Sequence, residues 1–564
     1  MLKKEILILL VFLIFFTSQA SAQQSFTHII SNSEDWKDVY STMMYAKFEN
    51  VGGDFLVSTK HGPLLMTGIS KDNYIRVISS KESPFVLNYD GDLKSAGFKN
   101  ADEVKVDSAN LELISNLPDI NNFVIVGSTY GYNAIAVAPY AVIDRAWVFF
   151  ADRANIAEID SFLSTKKPKE VIIYGFVDRE VKGTLSKYNP KVIDTGDRFK
   201  DNIEITKKYL EINPTKQVLL SNGEFIENEL MSGSGPILFT GKQNVPDQIR
   251  DYIKNSDIQV GVLIGADLVG TATNIRRSTG ISVIVKFARG ARAPTGAIAS
   301  VEGLDLFYLP IPIMDLELHS AKYNKASSQL ELTYKSNSNI PIFFKGTLTP
   351  KTESGEKTRI GDVEPIFIAP NDYKTMSYSD LDLTGDSILL GVFTLFGDAP
   401  TSLEKVLEKN INVEIVNVLD NCDIEIQKVK YSKPKQSFYL TIKNKVNYDC
   451  WVDAELKKVI VDNTGKTFGS EGSVNILKEK SSNIVIKQEM TDQDLQKNQF
   501  VNVAAYYGER EDGLVKMLQG KFPLSIETIS FAAIGLISFV LIIIAAIIIL
   551  FIVWKRRKDE EDFK

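Results

Sequence analysis

The spacing of apolar positions changes character along the chain. From about residue 33 to 300, short β-branched runs alternate with charged segments of helical period, which predicts βα units around a largely parallel sheet. Phe55-Leu56-Val57, Val124-Ile125-Val126, Val171-Ile172-Ile173, Val218-Leu219-Leu220 and Val262-Leu263-Ile264 are the expected strands. Each is a short apolar run ending near Ser or Gly, as a strand covered on both faces reads. Residues 156–163 and 246–253 carry apolar side chains three and four apart and are expected helices, the second with Pro246 in its first turn, where a missing N–H costs nothing. Leu309-Pro310-Ile311-Pro312-Ile313 is a stiff connector, because proline fixes its own backbone and extends the residue before it. Beyond it the period becomes two: 329–334 and 437–442 read as strands with one buried face. Turn residues recur every ten or so positions, and the one helical stretch expected there is 402–409. Two successive β-sandwiches follow, over 313–414 and 415–521.

Two further apolar runs carry topology. Residues 529–553 hold no charge between Glu527 and Lys555, and Lys555-Arg556-Arg557-Lys558 follow. About twenty apolar residues cross the hydrocarbon core as a helix, so this run predicts a transmembrane helix over 529–554 and a cytoplasmic tail at 555–564. At the other end Lys3-Lys4, an apolar stretch over 6–16 and Ala20-Ser21-Ala22 predict a cleaved signal peptide, 1–22. The resulting expectation is a single-pass type I protein of the cell membrane with an extracellular ectodomain, its C-terminal helix partnered by the lipid bilayer.

The α/β half also repeats. Asp152-Arg153-Ala154-Asn155-Ile156 leads through a helix to Val171-Ile172-Ile173-Tyr174-Gly175, and ninety residues on Lys242-Gln243-Asn244-Val245-Pro246 leads through a helix to Gly261-Val262-Leu263-Ile264-Gly265. Fixed-period self-similarity of this length marks repeated supersecondary units. Three Rossmann-like βα units are expected, at about 33–115, 116–195 and 196–300, within a module spanning 23–308. Gly196-Asp197-Arg198-Phe199 opening a helix, then 218–223, Pro236-Ile237-Leu238-Phe239-Thr240, Val245-Pro246 and 261–265 resemble, in order and spacing, the cell-wall-binding repeat type 2 (S-layer-associated) family. The resemblance is best over 192–280. It implies a module of three repeats that binds anionic cell-surface polymer. One departure stands out: Phe225-Ile226-Glu227-Asn228-Glu229-Leu230 replaces the acidic, alanine-rich helix start that follows the Gly loop in that family. The sandwiches resemble immunoglobulin-like stalk modules of archaeal S-layer-type surface proteins.

Composition narrows the function. With 44% hydrophobic residues, 24% charged and a formal net charge of -7, the chain is ordinary globular protein and is no wholesale nucleic-acid binder. Its two cysteines, Cys422 and Cys450, exclude a disulfide-built scaffold but permit one bridge between two strands of the second sandwich; two buried thiols are the alternative. The three histidines, His28, His61 and His319, lie too far apart to offer zinc a spacing-based site, and no cofactor is implied. From Val269 to Ser300 no acidic residue occurs, whereas Arg276, Arg277, Lys286, Arg289 and Arg292 do. Guanidinium groups suit phosphate and carboxylate geometry, so these five are the candidate ligand-binding residues, set against the plainer reading of a solvated surface paired with acids of other units. The expected function is a non-enzymatic structural or adhesion protein of the envelope, with an anionic polymer or other surface proteins as partners. A membrane-tethered solute receptor with two lobes around one cleft is the alternative, and an envelope hydrolase a third.

Overall fold

The computed structural model describes residues 26–265, 268–286, 306–352, 355–356, 358–383, 387–417, 419–528, 543–545 and 547–549. The chain divides into two compact units at Ile311/Pro312.

Three four-stranded sheets fill the first unit. They comprise β1 (His28–Asn32), β2 (Gly52–Phe55), β3 (Tyr74–Ser80) and β4 (Asn100–Val106); then β5 (Asn122–Gly127), β6 (Ala146–Ala151), β7 (Glu170–Tyr174) and β8 (Lys191–Ile193); then β9 (Gln217–Ser221), β11 (Ile237–Phe239), β12 (Val260–Ile264) and β13 (Ser282–Lys286). A short β10 (Phe225–Ile226) stands apart and pairs antiparallel with β14 (Phe307–Tyr308). Each sheet is wholly parallel and has its strands in the order second, first, third, fourth. The first repeat opens with His28–Asn32, ahead of the expected start at residue 33, and Phe55 ends an edge strand rather than a first strand. Only Ile29 and Ile30 are apolar in β1, and its other buried residues are Ser31 and Asn32, so its apolar run is too short to register in the sequence.

A bracket of one kind finishes two of the edge strands. Asn110, in the helix Ala109–Glu112 that leads into the second sheet, donates from Nδ2 to the Val148 carbonyl (2.8 Å) and accepts from the Phe150 amide (3.2 Å) on β6. Asn202, in the helix Arg198–Ile212 that leads into the third, donates to the Ile237 carbonyl (2.9 Å) and accepts from the Phe239 amide (2.7 Å) on β11. A carboxamide has the donor and acceptor of a peptide group, so each asparagine stands in for one residue of a further strand on an otherwise open edge. The Arg198–Ile212 helix is oriented for this by its cap, since the Asp197 carboxylate accepts from the Phe199 and Lys200 amides.

The third repeat lacks the helix that follows the first strand in the other two. In its place run β10 and a turn stabilised by Glu227, whose carboxylate accepts from the Glu229 and Leu230 amides. The Phe307 end of the unit lies across this gap. Phe307 meets Phe55 and Phe85 of the first repeat edge to face, at 6.3 and 6.4 Å between centroids. The Leu309 amide bonds the Glu224 carbonyl at 2.9 Å, and the Pro310 carbonyl accepts from the Gly131 amide at 3.1 Å. A Cβ at Gly131 would stand 2.7 Å from Leu309, so that turn of the second repeat needs glycine for a close approach. Half of the expected connector is thus docked on the α/β unit.

The second unit is two β-sandwiches of one topology. The first is built from β15 (Leu316–Asn324), β16 (Gln329–Ser336), β17 (Ile342–Thr352), β18 (Gly355–Glu356), β19 (Ile360–Gly361), β20 (Ile366–Ile368), β21 (Tyr373–Tyr378), β22 (Ile388–Gly397), β23 (Lys405–Asn412) and β24 (Glu414–Val416). One sheet has the order β21-β16-β15-β24 and the other β18-β17-β22-β23. The second sandwich holds β25 (Ile424–Ser432), β26 (Ser437–Asn444), β27 (Cys450–Val461), β28 (Thr464–Gly469), β29 (Val474–Ile476), β30 (Ser481–Lys487), β31 (Phe500–Gly508) and β32 (Lys516–Glu527). Alternation is kept throughout: Leu330, Leu332 and Tyr334 face one core, and Phe438, Leu440 and Ile442, 108 residues on, face the other. The first strand of each sandwich carries a bulge, between Leu318 and Ser320 and between Ile426 and Lys428, again 108 residues apart. Cys422 and Cys450 are joined by a disulfide, with Cα atoms 5.9 Å apart.

Two expectations are corrected. Residues 402–409 form no helix: Leu403, Val406 and Leu407 have helical spacing, but Lys405–Asn412 pairs along the whole of β22 as β23, and ladder formation overrides local period. The fold class and placement expected for the C-terminus are corrected as well, because among the described residues no helix is long and apolar enough to cross a membrane. Within 529–553 only 543–545 and 547–549 are among the described residues. Among the described residues the fold is parallel α/β sheets followed by many strands, and neither the expected transmembrane helix nor the single-pass placement is supported. The expected signal peptide 1–22, the rest of 529–554 and the tail 555–564 lie outside the described residues.

Candidate functional site

In each sandwich the first and last strands run parallel and side by side. Lys322, Tyr323 and Asn324 of β15 pair with Glu414, Ile415 and Val416 of β24, and the Lys325 amide extends the ladder to the Val416 carbonyl at 2.8 Å. In the second sandwich Val429, Lys430, Tyr431 and Ser432 of β25 pair with Leu524, Ser525, Ile526 and Glu527 of β32. Ser525 Oγ also donates to the Val429 carbonyl (3.1 Å), and Lys430 Nζ lies 2.9 Å from Glu527 Oε2. The Lys430 ammonium holds the Glu527 carboxyl below the usual carboxylate range. The pairing arises because the last strand changes sheets: β32 is long enough to pair antiparallel with β31 and then parallel with β25, and β23 and β24 make the same crossing around the buried Val413.

A buried charge cluster joins the two sandwiches. Lys374 of β21 places Nζ 2.5 Å from Glu455 Oε1 and 3.2 Å from Asp453 Oδ2, and 3.7 Å above the Tyr506 ring. All three charged side chains are at most 4% exposed. Burial acts to lower the Lys374 pKa but is outweighed by Glu455 and Asp453, and the net direction is upward, so the lysine is held charged. Ser470 Oγ donates to the other Asp453 oxygen. At the rim, Arg510 reaches Glu331 at 3.0 Å, and the Thr333 and Thr375 hydroxyls both donate to the Asp512 carbonyl. The segment between the sandwiches is fixed to the second: Cys422 is bonded covalently to the start of β27, the Asn421 amide donates to Glu509 at 2.9 Å, and Lys516 donates to the Cys422 carbonyl at 2.8 Å. Apart from the disulfide, none of this emerges from the sequence. Asp453 and Glu455 alternate with Val452, Ala454 and Leu456, which places them on the face away from the core, but only the structure shows that face to be covered.

Of the basic residues singled out in the third repeat, the three described do not lie together. Arg276 and Arg277 lie in the last turn of the helix Val269–Thr279, where cations complement the helix dipole. Both are exposed and without an ion-pair partner among the described residues. Lys286 ends β13, the strand that follows this helix, and so sits at the opposite end of the strand, roughly 13 Å along it. There it is bound to the buried Glu227 at 2.7 Å and stands 3.7 Å from Glu229. Lys286 therefore closes the turn that replaces the missing helix. Arg289 and Arg292 lie outside the described residues. At the junction of the first and third repeats, Asp54 bridges His28 Nε2 (2.9 Å) and Asn228 Nδ2 (3.2 Å). His61 accepts from the Val57 amide through Nδ1, and His319 packs against Tyr373. Among the described residues no three His, Cys, Asp or Glu side chains are placed to hold a metal ion.

No protein-family model matches the sequence, and no curated protein does. Among solved structures the chain has a likeness to Cwp6 from Clostridium difficile, with 14% identity and a TM-score of 0.34, covering 47% of this chain and 55% of that one. It spans about half the length of that protein. The ligand binding region of Serine-glutamate repeat protein A of Enterococcus faecium matches with 15% identity and a TM-score of 0.14, over 19% of this chain and 99% of that one. Red sea bream transglutaminase matches with 9% identity and a TM-score of 0.13, over 38% and 31%. With every one of these scores below 0.5, none of the likenesses establishes a shared fold.

Proposed function

We propose that the chain is a structural or adhesion protein of a cell surface, in which the two sandwiches form a spacer that bears tension along the chain. The observation that carries this is the parallel pairing of first and last strands in both sandwiches. Tension applied between the two ends of such a domain pulls its terminal strands past one another, so the hydrogen bonds between them are loaded together and must fail together. Strands pulled apart from one end release one bond at a time. The disulfide at the entrance to the second sandwich supports the reading twice. It spreads incoming load to a second strand, and a lasting structural disulfide belongs to an oxidising compartment outside the cytosol. Three parallel sheets in the α/β unit, rather than two lobes around one cleft, favour this function over a solute receptor. On this reading the α/β unit is the contact-making part. The resemblance of 192–280 to the cell-wall-binding repeat type 2 family supports an anionic surface polymer as its partner, with Arg276 and Arg277 as cations that have no ion-pair partner among the described residues.

Single-molecule pulling tests it. With attachment points at residues 313 and 528, each sandwich is expected to unfold in its own event, and at higher force than when the second is unzipped from attachment points at 499 and 524, where the antiparallel β31 and β32 lie end by end. Equal forces in the two geometries would remove the mechanical reading.

A further inference from the structure

The outer face of the β17-β22-β23 sheet in the first sandwich is interrupted by a groove of about 480 Å³. Its floor is the row Thr349, Gly391, Asn410, set side by side by the register of the three strands. Gly391 leaves the gap, since a Cβ there would point into it beside Asn410 Oδ1, at 3.3 Å. One wall is the next row, Thr347, Phe393 and Glu408. Phe393 and Leu389 are 43% and 41% exposed, although both lie in the middle of a sheet. Arg359, just before β19, stands on the far side of β17 from Glu408. The two opposite charges therefore flank the groove about three strand spacings apart, roughly 14 Å. Among the described residues, the side chains of Thr347, Thr349, Arg359, Glu408 and Asn410 make no hydrogen bond or ion pair with the protein.

The second sandwich supplies a control for what this face does when its partner is protein. There the corresponding outward positions of β31 are Ala504 and Tyr506, both buried, with Lys374 of the first sandwich over the Tyr506 ring and paired with the neighbouring carboxylates. A face built to receive protein is thus filled, apolar at its centre and matched in charge. The groove on the first sandwich is the reverse: it is hollow at its centre and rimmed by uncommitted hydroxyl, amide, guanidinium and carboxylate groups with no net charge.

We infer that this groove is a binding site for an uncharged saccharide chain. A sugar ring presents an apolar face of C–H groups, which suits the exposed ring of Phe393. It also presents hydroxyls that both donate and accept, which suits a mixed set of donors (Arg359, Asn410) and acceptors (Glu408, Asn410, the threonines). The charge balance of Arg359 and Glu408 favours a neutral ligand over a polyanion. The volume is that of an ordinary small-ligand cleft, and its width across three strands accommodates a short oligomer rather than a single small ion. The site is separate from the α/β repeats and does not depend on how they bind.

The test is calorimetric titration of the intact chain with two uncharged hexose hexamers, a β-1,4-glucan and an α-1,6-mannan fragment, and with a pool of unstructured peptides. Saturable binding of at least one hexamer is expected. Gly391→Val, which fills the floor with a strand-favouring side chain, and Phe393→Ala should each weaken it at least tenfold, and Asn410→Ala, an exposed change that leaves the core untouched, by a smaller factor. Should Phe393→Ala fail to fold, the other two variants decide. Failure of both hexamers to bind, binding by Gly391→Val equal to that of the native chain, or capture of peptides alone would overturn the inference.

Discussion

Removing the Lys374 ammonium is the sharpest perturbation of the inter-sandwich joint. Glu455 and Asp453 lie 2.5 and 3.2 Å from it and are as deeply buried as the lysine, so Lys374→Ala leaves two carboxylates without their counter-ion where water cannot replace it. Breaking a buried pair in this way costs about 3–5 kcal/mol. The lost packing of the desolvated ammonium on Tyr506 adds about 2 kcal/mol. At roughly 1.4 kcal/mol per factor of ten, amide protection on either side of the joint should fall by about three to five orders of magnitude. Native-state hydrogen exchange resolves this by strand: β21 and the Ala504–Tyr506 stretch of β31 should lose protection, whereas β26 and β30, on the far side of the second sandwich, should not. Lys374→Met combined with Asp453→Asn and Glu455→Gln should recover most of the loss, because the cost lies in the unpaired charges rather than in the absence of a salt bridge. A loss below about 1 kcal/mol for Lys374→Ala, within the range of an exposed pair, would show that water reaches the cluster and that the joint is not buried as described.

The same joint carries a pH dependence: burial, reinforced by the Asp453 charge, raises the Asp372 carboxyl to about 7. A raised carboxyl favours the folded state fully below the ordinary carboxylate range, and that contribution is lost as pH rises through about 7. Exchange protection of β21 should therefore be higher at pH 5 than at pH 8, and Asp372→Asn should flatten the difference. Asn110→Ala and Asn202→Ala each leave one buried amide and one carbonyl of an edge strand unpaired, at about 1–3 kcal/mol per group. Denaturant midpoints of the α/β unit measure this, and a shift no larger than that of an exposed Asn→Ala control would contradict the bracket. Reduction of Cys422–Cys450, which closes a loop of sequence separation 28, should destabilise the second sandwich by about 3–4 kcal/mol in the chain-entropy model. Unchanged thermal unfolding after reduction would count against it. Arg276→Ser with Arg277→Ser should reduce retention of the chain on an anionic polymer at low salt and leave circular dichroism unchanged; equal retention would leave both as helix-terminal charges only.

Legibility in the sequence followed the length and purity of apolar runs. Val171-Ile172-Ile173 and Val218-Leu219-Leu220 are buried on both faces and stand out, whereas β1 contributes two isoleucines beside buried Ser31 and Asn32 and was invisible. In the sandwiches, alternation exposed β16 and β26 at once, but 402–409 looked helical because three apolar residues happened to sit three and four apart. Only the pairing with β22 decides that case. The described part of the basic stretch is spread out for a geometric reason. Residues close in sequence on either side of a helix-to-strand turn are carried to opposite ends of the strand, so Arg276 and Lys286 part company, and Lys286 is claimed by Glu227. Lys374, Asp453 and Glu455 gave no signal, since a lone charge on a strand reads as solvent-facing until something covers it. The groove at Gly391 was equally silent, because its members come from strands far apart in the chain.

The asparagine brackets bear on the order in which the α/β unit can be completed during synthesis. The groups that finish the edges of the second and third sheets, Asn110 and Asn202, are each made before the strand they bind. A chain emerging from the ribosome therefore delivers β6 and β11 to acceptors already in place. The first sheet is placed differently. The contact to its edge strand at Asp54 comes from Asn228, 174 residues later, and Phe307 arrives on Phe55 later still. The oldest part of the nascent unit is thus the last to be closed. Through most of translation it must hold an unfinished edge without joining a neighbour, and the short, glycine-rich, acidic sequence of β2, Gly52-Gly53-Asp54-Phe55, suits a strand that has to wait.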